Sequence, residues 1–420
     1  MNQKIAILIT NFEGGGAQKV ALTHARAFQD AGLEVKVIAL EHQDSYQIPE
    51  DLDVTILTDS LGTDSKLAKL IALPTLPFRL ARFLEAEDIQ LCISHLERAD
   101  FVNILAKPLA HHKTISVIHS HLEANYFQEG ITARSYIYMS LVKLLERFSD
   151  RITPVSEGIA QNLIKLGLPK HKIQVINNPF FISEIQRLAG QPLEEYADIF
   201  SGEILISIAR LSRQKGIWHA LKAFNEFKKT HPYAKYVILG DGPLRDHHLE
   251  LARSLDLNVY DVWSGESLRQ DADVYFLGFV QNPFQFLAKA DVFLLPSHYE
   301  GLPNVIIESL ICGTPVIATD SDSGPRELLA PKTSLSKKTS KVELGSHGIL
   351  IPVPDPQYEQ DDPTTLDPEQ QEMLKAIQIM FETDSLRSSY ESTSRDRVAQ
   401  YEIEQIIPQW IELIQNLLKD

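Results

Sequence analysis

The chain is predicted to be an α/β protein built from two successive doubly wound, parallel-sheet units. Three observations predict this. Short β-branched runs alternate with longer helical patterns, the mark of strands covered on both faces. The 420 residues exceed what one core ordinarily holds. The alternation lapses at the polar, weakly periodic stretch LAGQPLEEYADIFSGE (188–203) and then resumes.

Taken in order, KIAILIT (4–10) reads as a buried strand and AQKVALTHARAFQDAG (17–32) as an amphipathic helix stopped by Gly32. Strands follow at EVKVIAL (34–40), DVTIL (53–57), IQLCISH (89–95), KTISVIHS (113–120), RITPVS (151–156) and KIQVINNP (172–179). After the break come a strand at ILISIAR (204–210), a helix at 216–232, a strand at AKYVILGDG (234–242) and a helix at 243–257. VYFLGFV (274–280), ADVFLLPS (290–297), TPVIATD (314–320) and SHGILIP (346–352) are further strands, the last ending the sheet. Residues 258–273 read as an insertion, and the lysine-rich PKTSLSKKTSKVELG (331–345) as a mobile loop. The tail from Asp367 is helical, and its last piece has an apolar face. The organisation implied is a domain over 1–187, a linker over 188–203, a domain over 204–394, and a C-terminal helix (395–420) crossing back to the first domain. Such sheets bind ligands outside the carboxyl ends of their strands, and two facing units make a cleft.

Composition excludes some functions. The 40 basic and 56 acidic residues give a net charge of −16, which argues against general nucleic-acid binding. The two cysteines, Cys92 and Cys312, sit in apolar surroundings without metal-ligand spacing and read as small buried hydrophobes in a reducing compartment. The N-terminal apolar run is too short for a signal peptide, and no run approaches the roughly 20 residues a spanning helix needs. The expected location is cytoplasmic, at the inner face of the cell membrane if the chain meets lipid.

Three stretches carry chemistry. In TNFEGGGAQKV (10–20), glycines lie between a strand and a helix, but Lys19 stands where a dinucleotide fingerprint has its third glycine. Gly15 and Gly16 expose backbone N–H groups beside a helix start, which suits an anion or a sugar; a tight turn explains them too. In SIARLSRQKG (207–216), Arg210 leaves a strand end and Lys215 precedes a helix, so the two cations can clamp a diphosphate or be solvated loop charges. HYEGLPNVIIESLICGTPVIATD (298–320) places Glu300 before a buried helix and Glu308 just over a turn inside it, with Pro303 suited to the first helical position. Carboxylates accept from vicinal hydroxyls, and the helix N-terminus attracts phosphate. The ligand implied is a nucleotide diphosphate sugar.

In these motifs the sequence resembles the retaining glycosyltransferases of the GT-B fold, two Rossmann-like domains facing a cleft, in the large family GT4. The resemblance rests on GGGAQKV, VSEGI, VINNP, ARLSRQKG, LGDGP, LGFV and the paired glutamates with seven residues between them, in order along nearly the whole chain. It implies that Glu300 contacts donor-sugar hydroxyls and Glu308 the ribose diol. Backbone at Gly301, Leu302, Asn304 and Val305 would meet sugar and phosphate, and Arg210 and Lys215 would neutralise the leaving diphosphate. Phe279 and Val280 would hold the base with Gly240 nearby, and His119 matches the active-site histidine, with His121 the alternative. The diphosphate would leave from the face the acceptor hydroxyl enters, keeping the anomeric configuration. The fold needs no metal or cofactor, so the acidic triplets at 51–53, 271–273 and 320–322 are not taken as ligands.

DSGPREL (322–328) resembles the branch acting on polysaccharide, lipooligosaccharide or lipid-linked oligosaccharide, which implies a hexose or N-acetylhexosamine from a UDP-linked donor. The segment TARSYIYMSLVKLLERFSDR (132–151) mixes aromatics and aliphatics with Arg134, Lys143, Arg147 and Arg151. It reads either as a surface for anionic membrane or as a core helix with solvated cations. The competing functions are a sugar-nucleotide epimerase of the same fold and a catalytically inactive nucleotide-sugar-binding protein.

Overall fold

The computed structural model describes residues 3–12, 15–41, 52–58, 73–127, 132–356 and 365–419. It divides into two compact units, one of Met1–Phe180 with Tyr401–Asp420 and one of Phe181–Gln400.

In the first unit, β1 (Lys4–Ile9), β2 (Glu34–Ala39), β3 (Val54–Ile56), β4 (Leu91–His95), β5 (Lys113–Ile118) and β6 (Arg151–Pro154) form a parallel sheet in the order β3-β2-β1-β4-β5-β6. Central strand β1 carries an unbroken Ile, Ala and Leu run, and central β4 is buried along its whole length, because both faces are covered. The order reverses beside β1, the switch point where such sheets leave a crevice at their carboxyl edge. The described helices are α1 (Gly16–Asp30), α2 (Leu76–Ala86), α3 (Glu97–Ala110), α4 (Leu122–Phe127), α5 (Ala133–Leu145) and α6 (Glu157–Lys165). The strand expected at 172–179 does not form. Only Ile173 makes a bridge, to Ile152, and two asparagines and a proline end any ladder there.

The second unit holds β7 (Ile204–Ile208), β8 (Lys235–Leu239), β9 (Val259–Asp261), β10 (Val274–Gly278), β11 (Val292–Leu295), β12 (Val316–Thr319), β13 (Glu343–Leu344) and β14 (Ile349–Ile351). They run in the order β13-β14-β12-β11-β7-β8-β10-β9, all parallel except β13. Its helices are α7 (Ile182–Ala189), α8 (Ile217–Lys228), α9 (Arg245–Ser254), α10 (Phe284–Leu287), α11 (Asn304–Ile311), α12 (Pro325–Leu329), α13 (Pro368–Glu382) and α14 (Asp384–Val398). Phe224, Phe227, Tyr236, Phe276, Met373 and Met380 are completely buried in its core.

Several expectations change here. The stretch 188–203 is no free linker: it belongs to the second unit, with Leu193 and Ile199 buried and Tyr196 and Phe200 packed on Phe286. The supposed insertion contains β9, pinned by Arg253 to Asp261 at 3.0 Å and by Arg269 donating to the Val259 carbonyl at 2.7 Å. The sheet ends one strand later than expected, on the antiparallel β13.

The loop 331–345 is tied down rather than loose. Arg326 pairs with Asp320 at 2.5 Å and with Glu343 at 3.1 Å, Lys337 reaches Glu343 at 2.9 Å, and Lys338 donates to the Ser321 carbonyl at 2.8 Å.

The chain returns to the first unit where Phe180 and Tyr401 meet, Phe180 N–H donating to Tyr401 O at 2.9 Å and Ile403 N–H to Phe180 O at 3.1 Å. Helix α15 (Ile403–Lys419) then lays Trp410 against α1, its ring 4.9 Å from His24 and 5.9 Å from Phe28.

Candidate active site

In the second unit, strand ends β7, β8, β10 and β11 bring four loops to one edge of the sheet. Leu211 N–H donates to Asp241 O at 3.0 Å and Gly240 N–H to Gly278 O at 2.7 Å, so the segments holding Arg210, Gly240, Phe279 and Val280 are neighbours. Gly240 has φ +131° and lies so close to Ala209 that a Cβ would collide with that carbonyl. Arg210 and Phe279 are exposed and Val280 is half-buried.

The loop before α8 is stitched to the loop before α11. His298 N–H donates to Gln214 O at 2.8 Å, and the Gln214 amide donates back to Tyr299 O at 2.9 Å. Gly216 makes this approach possible: at φ +59° it lies against the Pro296 carbonyl, where a side chain has no room. The result is a contact between residues 85 apart in the chain, Lys215 Nζ donating to Glu300 Oε1 at 2.6 Å. Glu300 is only 6% exposed, so this ion pair supplies the partner that a buried carboxylate requires.

Helix α11 begins at Asn304, with Pro303 at the capping position rather than the first helical one. It carries no acidic residue in its first turn and no side-chain cap, so the positive end of its dipole has no carboxylate of its own in that turn. Asn304 and Val305 are half-buried there, while Gly301 and Leu302 are buried just before them. Glu308, 7% exposed, lies one turn along. The segment 300–303 is propped from behind by Ser323, whose hydroxyl donates to Glu300 O at 2.7 Å. Gly324, at φ +88°, sits too close to Pro303 and Gly301 to carry a side chain.

Behind the site lies an aromatic cluster. His298 Nδ1–H donates to Pro354 O at 3.2 Å, and its ring stands 5.3 Å from Trp218 and 5.2 Å from His219. Burial depresses His298 to about 4, which keeps it neutral.

The first unit presents its own groups. Gly15 and Gly16 are exposed at the start of α1, which has neither a side-chain cap nor an acidic residue in its first turn. Glu13 and Gly14 lie outside the described residues. His119 follows β5, and its ring meets His95 at the end of β4: His95 Nδ1 and His119 Nε2 are 2.9 Å apart. Burial lowers His119 to about 4, so it too is neutral. His121 is used differently, its Nδ1 accepting from Ala124 N–H at 3.3 Å at the start of α4.

Among the described residues, no cluster of three His, Cys, Asp or Glu side chains is arranged to hold a metal. Asp320 is engaged by Arg326, and Asp273 by Lys228 at 2.6 Å. Asp51 lies outside the described residues. Cys92 is buried, whereas Cys312 is half-buried at the end of α11, a partial departure from the reading of both as buried.

Comparison with known proteins places this arrangement. The family described as "Glycosyltransferase Family 4" matches residues 14–182, and "Glycosyl transferases group 1" matches residues 200–357. An uncharacterised glycosyltransferase of Methanocaldococcus jannaschii is 36% identical over 308 residues, 72% of this chain and 70% of that protein. The chain belongs to the group 1, family 4 glycosyltransferases. This glycosyltransferase is also 25% identical, over 95% of its length and 96% of the relative's, to a Campylobacter jejuni enzyme. That enzyme is named N-acetylgalactosamine-N,N'-diacetylbacillosaminyl-diphospho-undecaprenol 4-alpha-N-acetylgalactosaminyltransferase. Its fold is GT-B: Anabaena HepE in complex with UDP-glucose superposes with a TM-score of 0.72 at 20% identity, covering 98% of this chain and 99% of that one. Sucrose-phosphate synthase of Thermosynechococcus elongatus gives 0.72 at 17% identity, covering 99% of each chain.

Sequence reasoning missed Gln214 and Ser323, which hold the glutamate loop, and His95, which meets His119. Their signal was weak because each acts on a partner far away in the chain. Only His95, at a strand end like His119, repeated a recognisable position.

Proposed function

We propose that this glycosyltransferase moves a hexose or N-acetylhexosamine from a UDP-linked donor to a lipid-linked saccharide, with retention at the anomeric carbon. The observation that carries the reading is the Lys215–Glu300 pair beside the uncapped N-terminus of α11, with Glu308 one turn on. Glu300 is suited to the sugar hydroxyls and Glu308 to the ribose diol. Arg210, Lys215 and the helix N-terminus face the charge that grows on the departing diphosphate. The cations do this without a metal. The Campylobacter relative's name supports a lipid diphosphate acceptor and an N-acetylhexosamine, and the HepE complex supports UDP.

The test is calorimetry across UDP-, GDP- and ADP-sugars, followed by product analysis with and without an undecaprenyl-diphosphate-linked saccharide. A UDP-sugar should bind, transfer should require the acceptor and keep the anomeric configuration, and EDTA should leave the rate unchanged. A free sugar isomer formed without acceptor would instead identify an epimerase.

The acceptor reading extends to α5. Met139 and Val142 face inward, but Tyr136, Ile137, Leu141 and Leu144 are exposed, and Ile137 shows 70% of its surface. Phe148 beyond the helix is exposed as well, and Lys143 and Arg147 lie among these residues. The side chain of Arg134 lies outside the described ones, and Arg151 is half-buried. Among the described residues no helix is long and apolar enough to cross a membrane, so the contact proposed is peripheral, with anionic lipid. Vesicles of mixed phosphatidylglycerol and phosphatidylcholine should co-sediment the protein. Reversing both charges, Lys143→Glu with Arg147→Glu, should weaken that at least about tenfold. Sedimentation unaffected by the reversal would remove the lipid contact.

A further inference from the structure

His95 is fully buried at the end of β4, and the residue after it, Leu96, adopts φ +76° as the chain turns into α3. A bulky residue on that side of the map is strained, and such strain persists where surrounding structure imposes it. The pleat explains the neighbour. His95 stands opposite Val117 in the β4–β5 ladder, and His119 is two residues further on, hence on the same face. The two ring centroids are 5.1 Å apart and the planes lie 25° from parallel. On its other side His95 meets His24, 5.4 Å away, whose two ring nitrogens are buried without partners.

Among the described residues the His95 side chain makes one hydrogen bond, Nδ1 to His119 Nε2 at 2.9 Å, and its Nε2 is buried without a partner. Two neutral imidazoles can share one proton along that contact in two ways. If His119 donated, His95 would carry its proton on Nε2, an orphaned buried N–H. If His95 donates, only a bare ring nitrogen is left without a partner. Buried N–H groups without acceptors are the rarer of the two defects. We propose that His95 is a positioning residue that donates Nδ1–H to His119 Nε2, fixing His119 as the Nδ1–H tautomer so that its free edge offers a hydrogen-bond donor to the donor sugar. This rests on the reading of His119 as the residue that meets the sugar. Burial keeps both rings neutral, and a proton on one would repel the other, so the contact works as a neutral donor–acceptor pair.

The direct test is ¹⁵N NMR of the histidine rings in the whole wild-type protein, with His119 assigned by difference against His119→Gln. Nδ1–H on His119 and Nδ1–H on His95 are expected; Nε2–H on His119 would overturn the proposal. Two variants then separate positioning from packing. His95→Phe keeps an apolar ring but gives no proton, and should release His119 to the other tautomer. On the tightest-binding sugar nucleotide of the calorimetric panel it should lower kcat about 10- to 100-fold with KM within about threefold. His95→Asn places an amide N–H where Nδ1 was and should restore both the tautomer and most of kcat. A His95→Phe protein with His119 unchanged in tautomer and full kcat would sink the inference. Full activity of His119→Gln would instead sink the role assigned to His119, while the wild-type spectrum still decides what His95 does.

Discussion

Glu300→Gln should lower sugar transfer by about a thousandfold while UDP binding stays within about threefold of wild type. The carboxylate is 6% exposed and held at 2.6 Å by Lys215, so it is fixed in place before any donor arrives. A glutamine keeps the shape but loses the charge that the proposed function sets against an oxocarbenium-like sugar, and it leaves Lys215 without its counter-ion. Glu308→Ala should do the reverse. Losing a charged acceptor for two ribose hydroxyls removes about 1.5–3 kcal/mol, a roughly 10- to 150-fold weaker grip on UDP itself. Calorimetry with UDP and a transfer assay on the same preparations read the two effects apart. If both variants lose binding and turnover together, the division of labour between the carboxylates is wrong.

The second large effect is structural. Arg326→Met should lower the melting temperature of the Phe181–Gln400 unit by roughly 6–20 °C. Arg326 and Asp320 have side chains 3% and 1% exposed, and the same guanidinium holds Glu343, 16% exposed. Removing the cation leaves Asp320 a buried carboxylate without its counter-ion, while Glu343 keeps Lys337, a loss of about 3–5 kcal/mol. It also loosens the loop 331–345, because the same guanidinium donates to Thr333 at 2.9 Å and to Glu343 at 3.1 Å within it. Replacing the pair together, Asp320→Leu with Arg326→Met, should recover much of the loss, since no unpaired charge then remains at that point. Melting followed by circular dichroism checks both; a single variant melting within about 2 °C of wild type would show that the network adds little.

Much of the fold was legible along the chain. Strands buried on both faces must be continuous β-branched runs, and ILISI, KYVIL and VFLL could be read directly as β7, β8 and β11. What escaped were elements too short to show a period of their own. Strand β9 is three residues long at an edge, and β13 is two residues held by a ladder to β14. The boundary between the units was misplaced because 188–203 is polar, yet its few apolar residues are the ones that pack on Phe286. At the site, the paired glutamates and the Arg–Lys loop could be named from their spacing and from the motif they resemble.

By itself the sequence determined the alternation of strand and helix, the order of the two sheets' segments, the family, and the residue types available at the strand ends. These follow from local periodicity and short motifs, which burial and turn chemistry write into neighbouring positions. Only the tertiary structure decided that Lys215 meets Glu300, that Arg326 binds the lysine-rich loop down, and that His95 stands behind His119. Lys215–Glu300 and His95–His119 join groups 85 and 24 residues apart. Such partners are set by which strands lie side by side and how their loops cross, a property of the folded sheet that no single stretch of chain carries.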